Sequence, residues 1–468
     1  MPKIRARPSA FARTSQTTVA PRTHPSTLVA GVLTMLVLAG GGVRVSPLIR
    51  RGVALPGDGF ALQQSVDYVL LSPVARWLDE LSLLTVSQHV AVLVSVGICG
   101  LAWALVGAWQ RRRSGKSGVA NVVLRRSALV IGALVSLYVV GVLVPRPMVA
   151  LRASNASDVL VDFHSHTASS HDGRWNFDAA ANREWHSRAG FDAAYVTDHQ
   201  TMRAWQQLAD RGQLADRTQA VREASILGGR SNAASTILLP GIESVSGGAH
   251  VSLLGVGRVH RTLFAHARSV DAVALQRALP ADRPLVVLTL PFDVDRVPGS
   301  VPLVDAIEIA DASPRGLAFA RQHRALIERL ADSLHVPLVA SSNNHGWGAT
   351  AAAWTAIRIE HWDTLSALQL DARIRAALRA RPADVRVIER RALAEGGGFL
   401  ADALIIPRLL LHVWRMLTWP ERFAFALWAW GIWALARRRS LRLANPHPTR
   451  ANPNCVRSVA HAGGARLR

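Results

Sequence analysis

Val159-Leu160-Val161-Asp162-Phe163-His164-Ser165-His166-Thr167 decides how this chain is read. A strand-like apolar run ends in a polar cluster with histidines at i and i+2. Side chains at that spacing leave a strand on the same face, so both imidazoles can address one cation. With 17 histidines in 468 residues, one such pair is weak. Its weight comes from what recurs downstream. Asp198-His199 closes the next strand-like run, and Glu243 closes Leu239-Pro240-Gly241-Ile242-Glu243. His250 opens the run after that, and Asn343-Asn344-His345 follows another. Metal-ligating residue types recur where strands end.

Around these points, short β-rich runs alternate with helical stretches. Strands are expected over 159–163, 193–197, 237–242, 251–256, 285–290, 306–309, 337–340 and 355–359. Helices are expected over 177–188, 270–279, 317–334 and 362–380. This alternation predicts an α/β fold with a parallel sheet, closed or open. In a closed (β/α) barrel the strand C-termini converge on one mouth, which would gather the residues above. The polar segment 202–230 is expected to form a lid, a substrate wall or a surface insertion.

Charge separates this block from the rest. The chain carries 54 Lys+Arg and 32 Asp+Glu, a net +22. Residues 153–398 hold 26 of each, so the excess lies entirely outside them, beside long apolar runs. Basic residues placed there set membrane orientation, and a nucleic-acid partner is not expected. Apolar runs over 27–43, 89–109, 127–144 and 423–436 are expected to span a bilayer, the last with help from Arg422 and Arg437 at its ends. The loop 110–126 carries six bases and no acid, whereas 44–88 carries four of each. The predicted order is a basic cytoplasmic arm (1–26), three transmembrane helices with loops (27–152), the neutral domain (153–398), and an amphipathic segment, fourth span and basic tail (399–468). The expected location is the inner (cytoplasmic) membrane, multi-pass, with the lipid bilayer as partner and the domain on the periplasmic or exterior side. Cys99 and Cys455 form no disulfide or zinc-knuckle spacing.

In combination the motifs resemble the PHP (polymerase and histidinol phosphatase) family. Its opening motif matches Asp162 to Thr167, followed by Ser170-His171-Asp172-Gly173; later motifs match Thr197-Asp198-His199, Gly241-Ile242-Glu243 with His250, and Ser342-Asn343-Asn344-His345. The resemblance covers about 159–345 and implies a distorted (β/α)7 barrel, here flanked by transmembrane helices. It also implies bound divalent metals, expected to be two, of zinc, manganese or iron type. One site would use His164, His166, Glu243 and Asn343, the last standing where the family has Asp. A second would use Glu243 and His250 and lacks a ligand at Pro291, with Asp293 a possible substitute. A third would use His171 or Asp172, His199 and His345. The implied activity is phosphoester hydrolysis, with Glu243, His199 and His250 nearest the chemistry and a phosphorylated small-molecule or surface substrate. Arg174 and Arg315 are candidates to hold its phosphate. Two rival readings are a non-catalytic metal- or anion-binding sensor on the same scaffold and a metal-dependent hydrolase of another bond.

Overall fold

The computed structural model describes residues 25–50, 53–54, 59–210, 236–246, 249–256, 283–290, 304–380 and 384–444. Pro291, Asp293, the helix expected over 270–279, most of 202–230, the basic arm up to residue 24 and the tail beyond 444 lie outside them. Contacts divide the chain into two compact units, residues 1–39 with 425–468, and residues 40–424.

The larger unit opens with β1 (Leu48–Arg50), β2 (Val53–Ala54), β3 (Phe60–Gln64) and helix α2 (Val66–Ser82), which follow α1 (Pro25–Ala39). Helices α3 (Val86–Arg113) and α4 (Val119–Leu143) come next. A capping box starts α3, in which Thr85 and Gln88 satisfy each other's backbone N–H. Then follow β4 (Val149–Ala153), β5 (Asp158–Ser165), α5 (Ala179–Ala189), β6 (Ala193–Val196), α6 (Arg203–Asp210), β7 (Ile237–Ser246), β8 (Ala249–Leu254), β9 (Leu285–Leu288) and β10 (Ala306–Asp311). The chain continues through α7 (Pro314–Leu334), β11 (Leu338–Ser341), β12 (Ala353–Arg358), α8 (Ala367–Ala380), β13 (Val385–Arg390), α9 (Phe399–Ala403), α10 (Ile405–Met416) and α11 (Trp419–Ala444).

Eleven strands form one sheet in the order β11-β10-β9-β8-β7-β6-β5-β12-β13-β1-β2, and β3 pairs with β4 apart from it. The sheet is mixed, not parallel throughout. Parallel pairs join β5 to β6, β6 to β7, and β9 through β10 to β11, while β8 is antiparallel to both its neighbours. Only residues 247 and 248 separate β7 from β8. A parallel crossover needs a dozen residues or more, so these two strands must run antiparallel. On the far side β12, β13 and β1 extend the sheet antiparallel from β5. The ladder does not close into a barrel among the described residues, but it curls. Asn343 N donates to His164 O at 2.8 Å and His166 N to Asn344 O at 2.9 Å, bringing the end of the edge strand β11 onto the end of β5.

The pleat explains which side of β5 does what. Val159, Val161 and Phe163 pack in one cluster with Leu370, Ile374 and Leu378 of α8. Leu160 faces the other way, toward Trp185, Phe191 and Trp354. Asp162 and His164 have the parity of Leu160, so a polar stripe continues an apolar one toward the strand's end.

Among the described residues, α3 and α4 are long and apolar enough to cross a membrane, and the stretch 27–43 is a shorter apolar helix. The run 423–436 lies within α11. Helix α10 buries Ile405 and Leu409 against Leu84, Ala91, Val92 and Leu393, so its apolar face is covered by protein. The charge-balanced segment 44–88 supplies two strands of the main sheet, with Leu48 opposite Arg390 and Ile49 opposite Glu389.

Candidate metal centre

Buried polar ties hold the ends of β5 and β6 and the turn after β11 in place. Asp162 accepts from His164 N at 3.2 Å and Ser342 N at 2.9 Å through one oxygen and meets His186 Nε2 at 2.7 Å with the other. Asp198 holds the turn after β5, accepting from Thr167 N at 2.6 Å and Thr167 Oγ1 at 2.8 Å. Ser170 donates to Asp172 Oδ1 at 2.9 Å and accepts from His199 N at 3.3 Å, joining the 170–172 turn to the end of β6. At Gly173 any Cβ would collide with the Thr167 carbonyl, so this tight return requires glycine.

These ties bring together ligand atoms from five parts of the chain in three overlapping groups. They are His166, Asp172, His199 and His345; His164, His166 and Glu243; and His199, Glu243 and His250. Glu243 belongs to two of the three. Its Oε2 lies 3.2 Å from His164 Nε2, 3.4 Å from His166 Nε2 and 3.1 Å from His199 Nδ1, and its Oε1 lies 2.8 Å from His250 Nδ1. His164 Nε2 and His166 Nε2 are themselves 2.9 Å apart. Asp172 Oδ2 sits 3.3 Å from His199 Nε2 and 3.1 Å from His345 Nε2.

The donor set fits a cation. His345 Nδ1 lies 2.9 Å from the Asn343 carbonyl, which can only accept, so Nδ1 carries the proton. In the neutral ring Nε2 is then a lone pair aimed at a carboxylate, and it has no hydrogen-bond partner. Glu308 Oε1 and Asn343 Oδ1 are likewise buried without a partner. Buried acceptors facing one another are costly unless a cation or proton lies between them.

Electrostatics point the same way. Burial pulls His164 down, but the Glu243 and Glu308 carboxylates overcome it and hold its pKa well above the ordinary value. Burial, helped by the neighbouring His164 and His345, pushes His166 well below its usual value, toward the neutral ligand form. Burial also lowers His199. Burial would raise Glu243, yet the surrounding imidazoles hold it well below the carboxylate range. Burial lifts Asp198 to about 6 against its hydrogen bonds from Thr167.

Other expected residues lie at the edge. His171 is exposed, with its ring 4.8 Å from that of His199, and it joins none of the three groups. Asn343 donates from Nδ2 to Asp311 Oδ2 at 2.9 Å. Arg174 reaches toward the carbonyls of Gly346 (3.4 Å) and Leu143 (3.5 Å) and lies over the Trp347 ring. Arg315 is exposed in the first turn of α7. Two residues absent from the sequence reading stand beside the centre. Glu308 is fully buried on β10, 3.5 Å from His164 Nδ1, and Asp311 ends the same strand. Their signal was present as single carboxylates in the apolar run Ala306-Ile307-Glu308-Ile309-Ala310-Asp311.

No protein-family profile matches the chain, and no curated protein matches it. Several solved structures are similar to parts of it. PsfC from Pseudomonas syringae shares 16% identity over 55% of this chain and 98% of its own, with a TM-score of 0.32. A protein from Bifidobacterium adolescentis assigned as a metal-dependent phosphoesterase shares 14%, over 40% and 87%, with a TM-score of 0.26. An amidohydrolase from Chromobacterium violaceum, solved with sulfate and no metal, shares 16%, over 48% and 98%, with a TM-score of 0.25. All three scores lie below 0.5, so the functional reading rests on the geometry of this chain itself.

Proposed function

We propose that this chain is a membrane-anchored, metal-dependent phosphoesterase of PHP type with its catalytic block outside the cytoplasm. The observation that carries the reading is the set of three ligand groups sharing Glu243, His166 and His199 at one end of the sheet. His164, His166, His199, His250, His345, Asp172 and Glu243 would hold divalent cations, and imidazole-carboxylate sets accept zinc, manganese or iron. When bound, such cations supply Lewis acidity, lowering the pKa of water and offsetting phosphoryl charge. The protein's own part is positioning. Glu243 sets the spacing of four imidazoles, Ser170 orients Asp172, and Asp162 and Asp198 keep both loops rigid. In the hydrolysis, water oxygen bonds to phosphorus, the ester P–O bond breaks, and the alcohol leaves with a proton. The exposed His171 imidazole beside His199 would give that proton and be restored by the one the water releases on attack, and Arg174 would attract the phosphoryl oxygens.

Two features support the anchored layout. Helices α3 and α4 are joined by a short basic connection carrying Lys116 and flanked by Arg111, Arg112, Arg113, Arg125 and Arg126. The 44–88 segment and the block after α4 build one sheet through β1 and β13, as they must if both lie on the same side of these two helices. The test is metal analysis of the purified full chain together with a phosphoester panel. Metal-dependent hydrolysis that disappears in His199→Ala supports the reading. A metal-loaded protein that cleaves none of the panel favours a binding domain instead.

A further inference from the structure

A cavity of about 500 Å³ lies beside the candidate centre, and its lining is of two kinds. Asp172, Asn343 and His345 make a polar part. Leu81 of α2 and Leu137 and Val142 of α4 make an apolar part. Its size falls within the range of small-molecule sites, roughly 300–1,000 Å³. A small water-soluble phosphoester would leave the apolar part unused.

The apolar part belongs to a helix of membrane-spanning length. Leu137 and Val142 are 36% and 40% exposed on α4, where exposure of apolar side chains is tolerated in lipid. The stretch from Leu137 to Leu143 covers about 9 Å of that helix at about 1.5 Å per residue. It is the end opposite the basic connection, and the metal-loop backbone is fastened to it. Gly348 N donates to Val142 O at 3.2 Å, three residues after His345. Arg174 reaches Leu143 O at 3.5 Å and stacks on Trp347. Trp347 at this junction is 49% exposed, and Trp175, next to Arg174 in the chain, is 84% exposed, as amphipathic rings are at a membrane surface. Where α3 meets α4, His89 and Tyr138 on the cavity wall pair at 2.8 Å, which lowers the polar cost of placing them beside Leu137 and Val142.

Building on the phosphoesterase reading, we propose that the cavity takes a membrane-resident amphiphile, its phosphate ester beside His345 and its hydrocarbon chain along Leu137 and Val142 of α4. Arg174 then sits at headgroup depth, and the chain enters sideways from the bilayer without leaving it. Each methylene buried along the wall is worth about fourfold in affinity, so chain length is the variable that reports the cavity.

The experiment uses the full chain in detergent micelles and two phosphonates that cannot be hydrolysed, octylphosphonate and methylphosphonate. Equilibrium binding should favour the octyl compound at least tenfold. Gly141→Phe and Leu137→Trp fill the apolar part, and each should cut that preference to threefold or less. Gly141 tolerates a side chain, since an added Cβ would meet nothing closer than Leu78 Cδ2 at 3.4 Å. No preference in the native chain, or an undiminished preference in whichever variant folds, overturns the proposal. Hydrolysis of octyl and methyl phosphate is measured separately. Chain-length-dependent binding without hydrolysis defeats the phosphoesterase reading and leaves the amphiphile site standing. Hydrolysis without chain-length preference does the reverse.

Discussion

Two buried polar clusters sit in the larger unit, and they are built on opposite principles. Around Asp79 both carboxylate oxygens have donors. Tyr68 Oη lies at 2.9 Å, Thr350 Oγ1 at 2.9 Å, Arg146 at 3.1 Å and Arg390 at 3.2 Å. Around Glu243 four imidazoles crowd one carboxylate, two of their nitrogens lie 2.9 Å apart, and the nearby His345 Nε2 has no hydrogen-bond partner. Both are deeply buried, so burial alone does not separate them. The identity of the partners does: permanently charged guanidinium groups pair the Asp79 carboxylate and hold the fold together, whereas imidazoles crowded around a carboxylate are the groups that bind a cation.

The largest effect should come from Glu243→Gln. An amide keeps the shape but removes the charge shared by two ligand groups, so metal affinity should fall more than about 100-fold, beyond the loss typical of a supporting residue. Unchanged metal stoichiometry at limiting metal would break the contrast between the clusters.

Asp79→Asn should behave in the opposite sense. It leaves Arg146 and Arg390 buried without their shared anion, and removal of one partner from a buried pair costs about 3–5 kcal/mol. Stability should drop on that scale while the folded fraction binds metal normally. Acid provides a second check. Burial raises the Asp79 pKa, but Arg390, Arg146, Arg76 and the Tyr68 hydroxyl outweigh it and hold it below the ordinary value. Its contribution is therefore fully present above the unfolded carboxylate pKa of about 3.9 and is lost as pH falls through the lower folded value. Between pH 5 and 3, Asp79→Asn should lose less stability than the native chain. Equal acid losses in the two proteins would show that Asp79 carries no such charge.

The unequal legibility of the two clusters has a physical cause. His164, His166, His199, Glu243, His250 and His345 stand at the ends of apolar runs in the sequence, so local sequence marks each of them, although β7 itself continues past Glu243 to Ser246. Asp79 reads as an ordinary acid balancing a loop, because its partners Arg146 and Arg390 are distant in the chain. Strands β1 and β2 have three and two residues, too short for any periodicity, and β1 exists through pairing with β13 more than 300 residues away. Glu308 was missed for a related reason. One carboxylate in an apolar strand reads as an interruption until the fold sets it 3.5 Å from His164.

Asn343 lies where the two principles meet, and it offers the finest test. Its φ of 43° is left-handed, a region that Asn and Asp both enter more readily than most residues, so Asn343→Asp should keep the backbone. The side chain is what changes. The amide now donates to Asp311 Oδ2 at 2.9 Å while its own Oδ1 is buried without a partner. Asp311 is already pushed up to about 7, first by burial and then by the Glu308 carboxylate. A third carboxylate removes the donor and adds a like charge, so the metal-free variant should lose about 1–3 kcal/mol, the usual cost of an unpaired buried group. A cation held at this position would turn that loss into a gain, because ligand binding to the native state stabilises it by mass action. We therefore expect Asn343→Asp to melt below the native chain in chelator and to regain the difference, or exceed it, when zinc or manganese is added. If metal raises both melting temperatures equally, Asn343 belongs with Asp311 as a structural tie and contributes nothing to the centre.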